Sequence, residues 1–554
     1  MSQLAQVAVD QLVEWGIVDF CICPGSRSTP LTLAVARHPK ANSHIFHDER
    51  SATFCALGFG KSGKLAVLIT TSGTAVANAM PAVVEANMAS IPLLLMTADR
   101  PPELRCTNAN QTIDQVKLFG DQVRFFFDIP CESNRYSVSA IQNTLSLSVS
   151  KCFGIDPGPV HLNWMFREPF DLTSDCGSIS YFNKPQHGLI SLTANQKTDL
   201  TQILERSTAG LIVVGELTNP LEREALKEIL KESSWPMIID ASSGLSLFQT
   251  PNKILAFEDL LRSPPKEFNP DVIVQFGNGL CTKRYERWLK TLTCTVLVLN
   301  GRPISSNPGS ISIHRYQVHT QTLGWITTLL RQSELITWVL EHNHRVHKAI
   351  QQNDTWSEVT VLQKSVSSIP PGGLLFIGNS MPIRDLNNYV EDKDVNVYSN
   401  RGASGIDGLP STTLGIHLST KQPTLLVLGD LSLMHDFGVL FTLKSMTVHQ
   451  AFVIVVINNF GGGIFNMLPV SEQTDVFDTH FATVHTHTLA PVTQAMGIDT
   501  YSVDSVEALN GALKECWLES GVHIIEAIVD KDVSKNLRST IREQMCTLNQ
   551  GIFE

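Results

Sequence analysis

Two short apolar runs, Thr424-Leu425-Leu426-Val427-Leu428 and Phe452-Val453-Ile454-Val455-Val456-Ile457, constrain this chain more than any other feature. Runs of this kind, too short for a helix and bounded by Gly and Asn, read as strands buried on both faces of a parallel sheet. The first discharges into Gly429-Asp430-Leu431-Ser432 and the second into Asn458-Asn459-Phe460-Gly461. The 26 residues between Leu431 and Asn458 suffice for one strand–helix–strand crossover. Ligands of open α/β sheets collect where strands end, so Asp430 and Asn459 are expected side by side at one crevice. An Asp carboxylate, an Asn amide oxygen and a backbone carbonyl near Gly461 are hard oxygen ligands that suit Mg²⁺, which takes its other ligands from water and substrate phosphates. A metal-bridged diphosphate is the first reading. The blander one is that both pairs are ordinary turn residues at strand ends.

The same strand-to-rim pattern recurs along the chain. In the first 180 or so residues, Phe20–Cys23 runs into Pro24-Gly25-Ser26-Arg27, His44–Phe46 into His47-Asp48-Glu49-Arg50, Ala66–Ile69 into Thr70-Thr71-Ser72-Gly73, and Leu93–Met96 into Thr97-Ala98-Asp99-Arg100. The last third repeats it with Leu374–Ile377 before Gly378-Asn379-Ser380 and Val397–Ser399 before Asn400-Arg401-Gly402. Between them lie plainer strand-like runs at 211–214, 237–239, 272–276 and 296–299, where no GxGxxG follows Gly215. The reading is α/β, with three doubly wound parallel-sheet domains. Their expected spans are 1–182, 183–335 and 336–554, with helices near the N-terminus and around 335–350.

At 554 residues the chain is too long for a single core. A net charge of −11 argues against nucleic acid as the main partner, which would require a basic stripe. No apolar run reaches the ~20 residues that span a bilayer. The eleven cysteines are odd in number, scattered and without a CxxC pair, which fits small buried hydrophobes in a reducing cytoplasm.

Nine segments occur in order: PGSRSTPLT (24–32), HDER (47–50), TSGTAVAN (71–78), TADRPPEL (97–104), NANQ (108–111), GNSMPIR (378–384), NRGASGIDG (400–408), GDLS (429–432) and NNFGGGIF (458–465). The GDLS and NN pair resembles the thiamine diphosphate signature, Gly-Asp-Gly followed by Asn-Asn, with Leu431 in place of the last glycine. Together the nine closely resemble the 2-succinyl-5-enolpyruvyl-6-hydroxy-3-cyclohexene-1-carboxylate synthases of menaquinone biosynthesis, over nearly the whole chain. The resemblance implies a pyrimidine-binding, a central and a diphosphate-binding domain. It implies thiamine diphosphate with Mg²⁺ or Mn²⁺ as cofactors, and 2-oxoglutarate and isochorismate as substrates. It also implies a site shared between subunits, hence a homodimer at least, with a homotetramer expected.

Residue by residue, the resemblance makes Glu49 the carboxylate that holds the aminopyrimidine nitrogen. Spacing alone would equally give Glu49 a surface pairing with Arg50. Asp430, Asn459 and Gly461 become metal ligands, and Gly429, Leu431, Ser432, Ser380, Ile406 and Phe465 cofactor contacts. Ile406 is the wedge beneath the cofactor, and Phe465 lines the substrate pocket. Ser26, Arg27, Arg100, Gln111, Lys283, Arg284, Ser380, Arg384, Arg401, Ile406 and Phe465 surround the substrates. These carry four carboxylates between them, and guanidinium forks grip carboxylates well. Independently, Ser28 or Thr29 is expected to cap a helix beginning at Pro30, making an anion site near Arg27. For Arg100 the bland reading is a surface pair with Glu103, and for Lys283-Arg284 a solvated helix face. Two other functions compete. One is a different thiamine diphosphate-dependent 2-oxo acid decarboxylase or acetohydroxyacid-synthase-like ligase; the other is a non-catalytic diphosphate-binding regulator. The arginine set weighs against the first, and Glu49 beside intact metal ligands against the second.

Overall fold

The computed structural model describes residues 2–131, 136–170, 180–217, 219–303 and 313–550. Strands among these residues form three wholly parallel sheets. The first runs, edge to edge, Asn42–Ile45, Asp19–Ile22, Ala66–Thr70, Leu93–Asp99, Pro159–Met165, Phe125–Ile129. The last runs Asn396–Tyr398, Leu374–Ile377, Thr424–Gly429, Ala451–Asn458, Gly521–Ile528, Asp499–Val503. In chain order both sheets read second, first, third, fourth, sixth, fifth, so they share one topology. Between them in sequence comes a five-stranded sheet: Ile313–Gln317, Thr295–Asn300, Val272–Phe276, Gly210–Val214, Met237–Ile239.

The order reverses between the first and third strands of each six-stranded sheet, and such switch points open a crevice at the strand C-termini. In the first sheet the flanking strands are Asp19–Ile22 and Ala66–Thr70, leading to Arg27 and Ser72. In the last they are Leu374–Ile377 and Thr424–Gly429, leading to Ser380 and Asp430. The topology thus sends the polar strand ends to the positions where ligands bind.

The residues pack as two compact units. One holds Met1–Gly188 with Gly402–Thr420 and His435–Met446. Its core lies between the first sheet and helices Ser2–Glu14, Thr29–Arg37 and Val138–Phe153. Helix Leu409–Thr420 lies against Glu49–Lys61, and glycines set the spacing: a Cβ on Gly58 would stand 2.1 Å from the Thr412 carbonyl, and one on Gly415 2.0 Å from that of Cys55. The other unit holds Leu189–Arg401, Lys421–Met434 and Thr447–Glu554, with separate apolar cores for the middle and last sheets. Helix Ile336–Gln351 stands where the sequence placed one. No helix is long and apolar enough to cross a membrane.

Four strands escaped the sequence reading: Phe125–Ile129, Pro159–Met165, Ile313–Gln317 and Asp499–Val503. Pro159–Met165 is the instructive case, since it opens on proline and buries His161 and Asn163 completely. The predicted cap near Arg27 also differs. The helix runs Thr29–Arg37 after a 3₁₀ turn at Ser26–Ser28, and no side chain caps it. The Ser28 and Thr29 hydroxyls instead donate backward to the carbonyls of Gly25 and Ser26, so both are spent inside the turn.

Two buried histidines give the fold a pH signature. Burial pushes His342 down to about 4 from an ordinary value of 6.5; its Nε2 lies 2.9 Å from the Leu255 carbonyl, and its ring stacks on Trp338. His161, fully enclosed, is pushed down to about 3. Below 6.5 the unfolded chain binds protons that the folded chain refuses. Stability therefore declines with falling pH by up to about 1.4 kcal/mol per pH unit per histidine. His342→Gln should flatten the fall in denaturant midpoint between pH 7 and pH 5. An unchanged slope would remove His342 from the acid sensitivity.

Candidate active site

Strands Thr424–Gly429 and Ala451–Asn458 pair in parallel with Gly429 opposite Ile457, so they end together. Asp430, the next residue, is 2 % exposed and begins the short helix Asp430–His435. Its Oδ1 accepts the Leu431 N–H at 2.7 Å. Its Oδ2 accepts the Gly461 N–H at 2.9 Å and lies 3.1 Å from His485 Nε2. Asn459 Oδ1 accepts the same Gly461 N–H at 3.2 Å. The two side-chain oxygens therefore converge on one amide. Burial raises the Asp430 carboxyl from its ordinary value, while the Leu431 N–H, His485 and the Gly461 N–H pull it back.

The turn beyond the second strand takes Phe460 to φ 60° and Gly461 to φ 150°. A Cβ on Gly461 would strike the Ala482 carbonyl at 2.6 Å. Leu431, by contrast, sits inside a helix and is not among the positive-φ residues, so its place demands no glycine. Among the described residues no three His, Cys, Asp or Glu side chains cluster in a way that could hold a metal. A cation here would draw on one carboxylate, an amide and a carbonyl, a set that fits Mg²⁺ completed by water and phosphate oxygens. Sequence reasoning missed His485, which lies 55 positions from its partner.

In the same unit, Ser380 precedes helix Met381–Tyr389 at φ 72°, ψ −122°. Arg384 Nη1 donates back to the Ser380 carbonyl, and Arg401 Nη1 to Asn379 Oδ1 at 2.8 Å. Phe465 packs edge-on against Phe481, with ring centres 6.2 Å apart. Lys283 is exposed at the first turn of helix Lys283–Leu289. Arg284 is half-buried and bonds Glu258 Oε2 at 3.3 Å, so it departs from a solvated face. Burial raises the Glu258 carboxyl, and the charges of Arg384 and Arg284 both oppose that shift. The structure thus brings Arg284 and Arg384 around one carboxylate.

The first unit holds the other set. Glu49 opens helix Glu49–Lys61, capped by Asp48 through the Arg50 N–H. Glu49 Oε2 accepts from Asn78 Nδ2 at 3.1 Å, whereas Arg50 donates to the His435 carbonyl. Burial and then the Glu49 charge push the Cys23 thiol up, which sets Glu49 beside the first strand's end. Ser26 is exposed and Arg27 is 6 % exposed. Arg27 donates to the Phe166 carbonyl at 2.9 Å and to Glu168 at 2.6 Å, beneath the Phe170 ring. Burial and the neighbouring Arg100 charge lower its guanidinium. Arg100 donates to Ser72 Oγ at 2.8 Å and to the Asn110 carbonyl, while Glu103 pairs with Arg167 instead. Gln111, at φ 55°, donates to the Ser72 carbonyl at 3.1 Å. Arg27, Arg100 and Gln111 therefore gather around Ser72 at the switch point.

Ile406 is half-buried in the loop at 402–408. That loop is held by Glu85, which sequence reasoning missed. The Gly402 and Ala403 N–H groups donate to its two oxygens at 2.9 and 2.6 Å, and Lys61 Nζ stands 3.6 Å away. Gly402 must lack a side chain, since a Cβ would lie 2.5 Å from the Glu85 carbonyl.

Comparison with known proteins bears on these rims. Residues 2–118 match the thiamine pyrophosphate enzyme N-terminal TPP binding domain, 184–377 the middle domain of thiamine pyrophosphate, and 392–527 the thiamine pyrophosphate enzyme C-terminal TPP binding domain. The 2-succinyl-5-enolpyruvyl-6-hydroxy-3-cyclohexene-1-carboxylate synthase of Rubrobacter xylanophilus is 34% identical over 556 residues, covering 95% of each chain. The synthase of the same name from Chlorobium phaeovibrioides is 33% identical over 99% of this chain and 98% of its own. That from Haloarcula marismortui is 32% identical over the same shares.

Glu85→Ala removes the acceptor for two backbone donors and the carboxylate facing a buried lysine, at a cost of about 3–5 kcal/mol. A denaturant titration checks this. A loss below about 1 kcal/mol, the value of one ordinary hydrogen bond, would mean that other contacts hold the loop.

Proposed function

The chain belongs to the 2-succinyl-5-enolpyruvyl-6-hydroxy-3-cyclohexene-1-carboxylate synthase family, thiamine diphosphate-dependent transferases of menaquinone biosynthesis. From that premise we propose that it decarboxylates 2-oxoglutarate and joins the remaining four-carbon unit to isochorismate, releasing CO₂. The observation that carries the reading is the convergence of the Asp430 and Asn459 oxygens on the Gly461 amide at a switch point. When bound, thiamine diphosphate supplies a nucleophilic carbon and accommodates the electron pair left as CO₂ departs.

In this reading Asp430, Asn459 Oδ1 and the Gly461 carbonyl hold Mg²⁺, or Mn²⁺ in its place, against the diphosphate lined by Gly429, Leu431 and Ser432. Glu49 holds the aminopyrimidine nitrogen, so that the cofactor's own amino group can take a proton. Ile406 supports the cofactor from below, with Ser380 and Phe465 alongside it. The substrates' four carboxylates are met by Ser26, Arg27, Arg100 and Gln111 from one rim and by Lys283, Arg284, Arg384 and Arg401 from the other. The mutual repulsion of Arg27 and Arg100, which lowers the Arg27 guanidinium, supports an anionic occupant, whose charge would relieve it. We further propose a homodimer at least, in which Glu49 of one protomer serves the cofactor held by its partner. A homotetramer, a cytoplasmic location and domain boundaries near 182 and 335 belong to the same proposal.

The direct assay supplies cofactor, Mg²⁺, 2-oxoglutarate and isochorismate and follows isochorismate loss with CO₂ release; CO₂ release that ignores isochorismate would favour a simple decarboxylase. Glu49→Gln should keep cofactor affinity while turnover falls about 10²–10⁴-fold, and normal turnover would exclude Glu49. Asp430→Ala should abolish the Mg²⁺-dependent part of cofactor binding in calorimetry. Arg384→Ala or Arg401→Ala should raise a substrate KM about 10- to 100-fold, the worth of a charge-assisted contact. A lowered Tm with unchanged KM would mark those arginines as structural.

A further inference from the structure

Asn459 presents a problem of orientation. Its amide has an oxygen on one side and an NH₂ on the other, and only the oxygen can ligate a cation. Nothing in the local backbone decides between the two. The decision comes from 101 positions away: Asn459 Nδ2 donates to Glu358 Oε1 at 2.7 Å. Glu358, 3 % exposed, opens helix Glu358–Ser368, and its own N–H is held by Ser534 Oγ. A carboxylate only accepts, so it must face the NH₂ and leave Oδ1 toward Gly461 and Asp430.

The other Glu358 oxygen accepts from Arg538 Nη2, and Arg538 also grips Asp385. One buried guanidinium between two buried carboxylates leaves a net negative charge behind the amide. A negative charge at the NH₂ end draws the amide toward its charge-separated form and strengthens the oxygen as a ligand. Gly463 keeps this contact open, because a Cβ there would come 2.7 Å from Asn459 Nδ2.

We propose that Glu358 is a positioning residue that fixes the Asn459 amide with its oxygen toward the cation site, with Arg538 holding Glu358 in place. The proposal rests on the reading of Asp430, Asn459 and Gly461 as cation ligands. It makes an unusual prediction for the isosteric change Glu358→Gln. Arg538 can only donate, so the introduced amide must turn its oxygen to Arg538 and its NH₂ to Asn459. Asn459 must then invert and point its own NH₂ at the cation.

The test measures Mg²⁺-dependent binding of thiamine diphosphate by calorimetry, without substrates. Glu358→Gln should weaken it about 10- to 100-fold, the usual effect of losing an outer-shell partner. Adding Asn459→Asp to Glu358→Gln should restore binding to within about 10-fold of the parent, because a carboxylate accepts from the introduced NH₂ with one oxygen and ligates with the other. That pair of changes also conserves net charge. Asn459→Asp alone should bind poorly, since it sets two carboxylates face to face. Binding by Glu358→Gln equal to that of the parent protein would overturn the proposal. So would a loss that Asn459→Asp fails to rescue, which would indicate a merely structural role. The parent protein's own Mg²⁺ dependence tests the underlying cation reading separately.

Discussion

The in-register pairing of Thr424–Gly429 with Ala451–Asn458 is the constraint on which the rest depends. Both strands are apolar and buried on both faces, so neither can display a functional group along its length. Chemistry is forced to the ends, and the pairing decides which ends meet. A slip of one residue would move Asp430 about 3.3 Å along its neighbour and turn the strand's side chains to the opposite face. The shared Gly461 amide could then not reach both oxygens. The apolar core thus performs a geometric task as well as a stabilising one.

Charge is handled differently at the two rims. Arg284 and Arg538 are held against carboxylates, so their positive charge is largely spent within the fold. Arg100 is held by a hydroxyl and a carbonyl. Arg27 has one carboxylate partner, Glu168, whose side chain is 61% exposed. Neutral oxygens fix a guanidinium's direction without cancelling its field, and an exposed carboxylate is easily displaced or screened. The first-sheet rim therefore keeps a positive field at its switch point, although the chain as a whole carries −11. Arrangement of charge rather than net charge is what an anionic ligand would meet.

Much of this was legible in sequence because apolar runs and the polar residues that end them are local signals. The switch-point strands, the Gly429-to-Asn459 crossover and helix Ile336–Gln351 all announced themselves in this way. What stayed hidden was long-range pairing. Pro159–Met165 did not read as a buried strand, because His161 and Asn163 are tolerable there only through Thr97, Gln115 and Asp99, which are distant in sequence. Glu85 reaches a loop 317 positions away, and nothing around either segment advertises the contact. Arg50 was open to a local pairing with Glu49, yet tertiary packing offered it the His435 carbonyl. Ser28 and Thr29 have the right chemistry for capping, but the 3₁₀ turn before them takes their hydroxyls first.

The rims also share a backbone feature that the motifs could not convey. Gln111, Ser380, Ser404 and Phe460 all adopt positive φ without being glycine, a choice that costs on the order of 1–3 kcal/mol each. Such conformations persist only where other bonds over-determine them, and here those bonds are visible. Gln111 is tied to Ser72 in both directions, through its side-chain amide and its own carbonyl. The Ser380 carbonyl is held by Arg384, and the Phe460 N–H by Asn458. Ser404 follows the two N–H groups clamped by Glu85. Two of these anchors, at Gln111 and at Ser380, use side chains that are themselves candidate ligand contacts. An occupant competing for those side chains would loosen the backbone that presents them, so the arrangement favours a ligand that adds bonds to them over one that replaces their bonds. Directional donors with capacity to spare meet that requirement, and a guanidinium with five N–H groups has more of it than any other side chain.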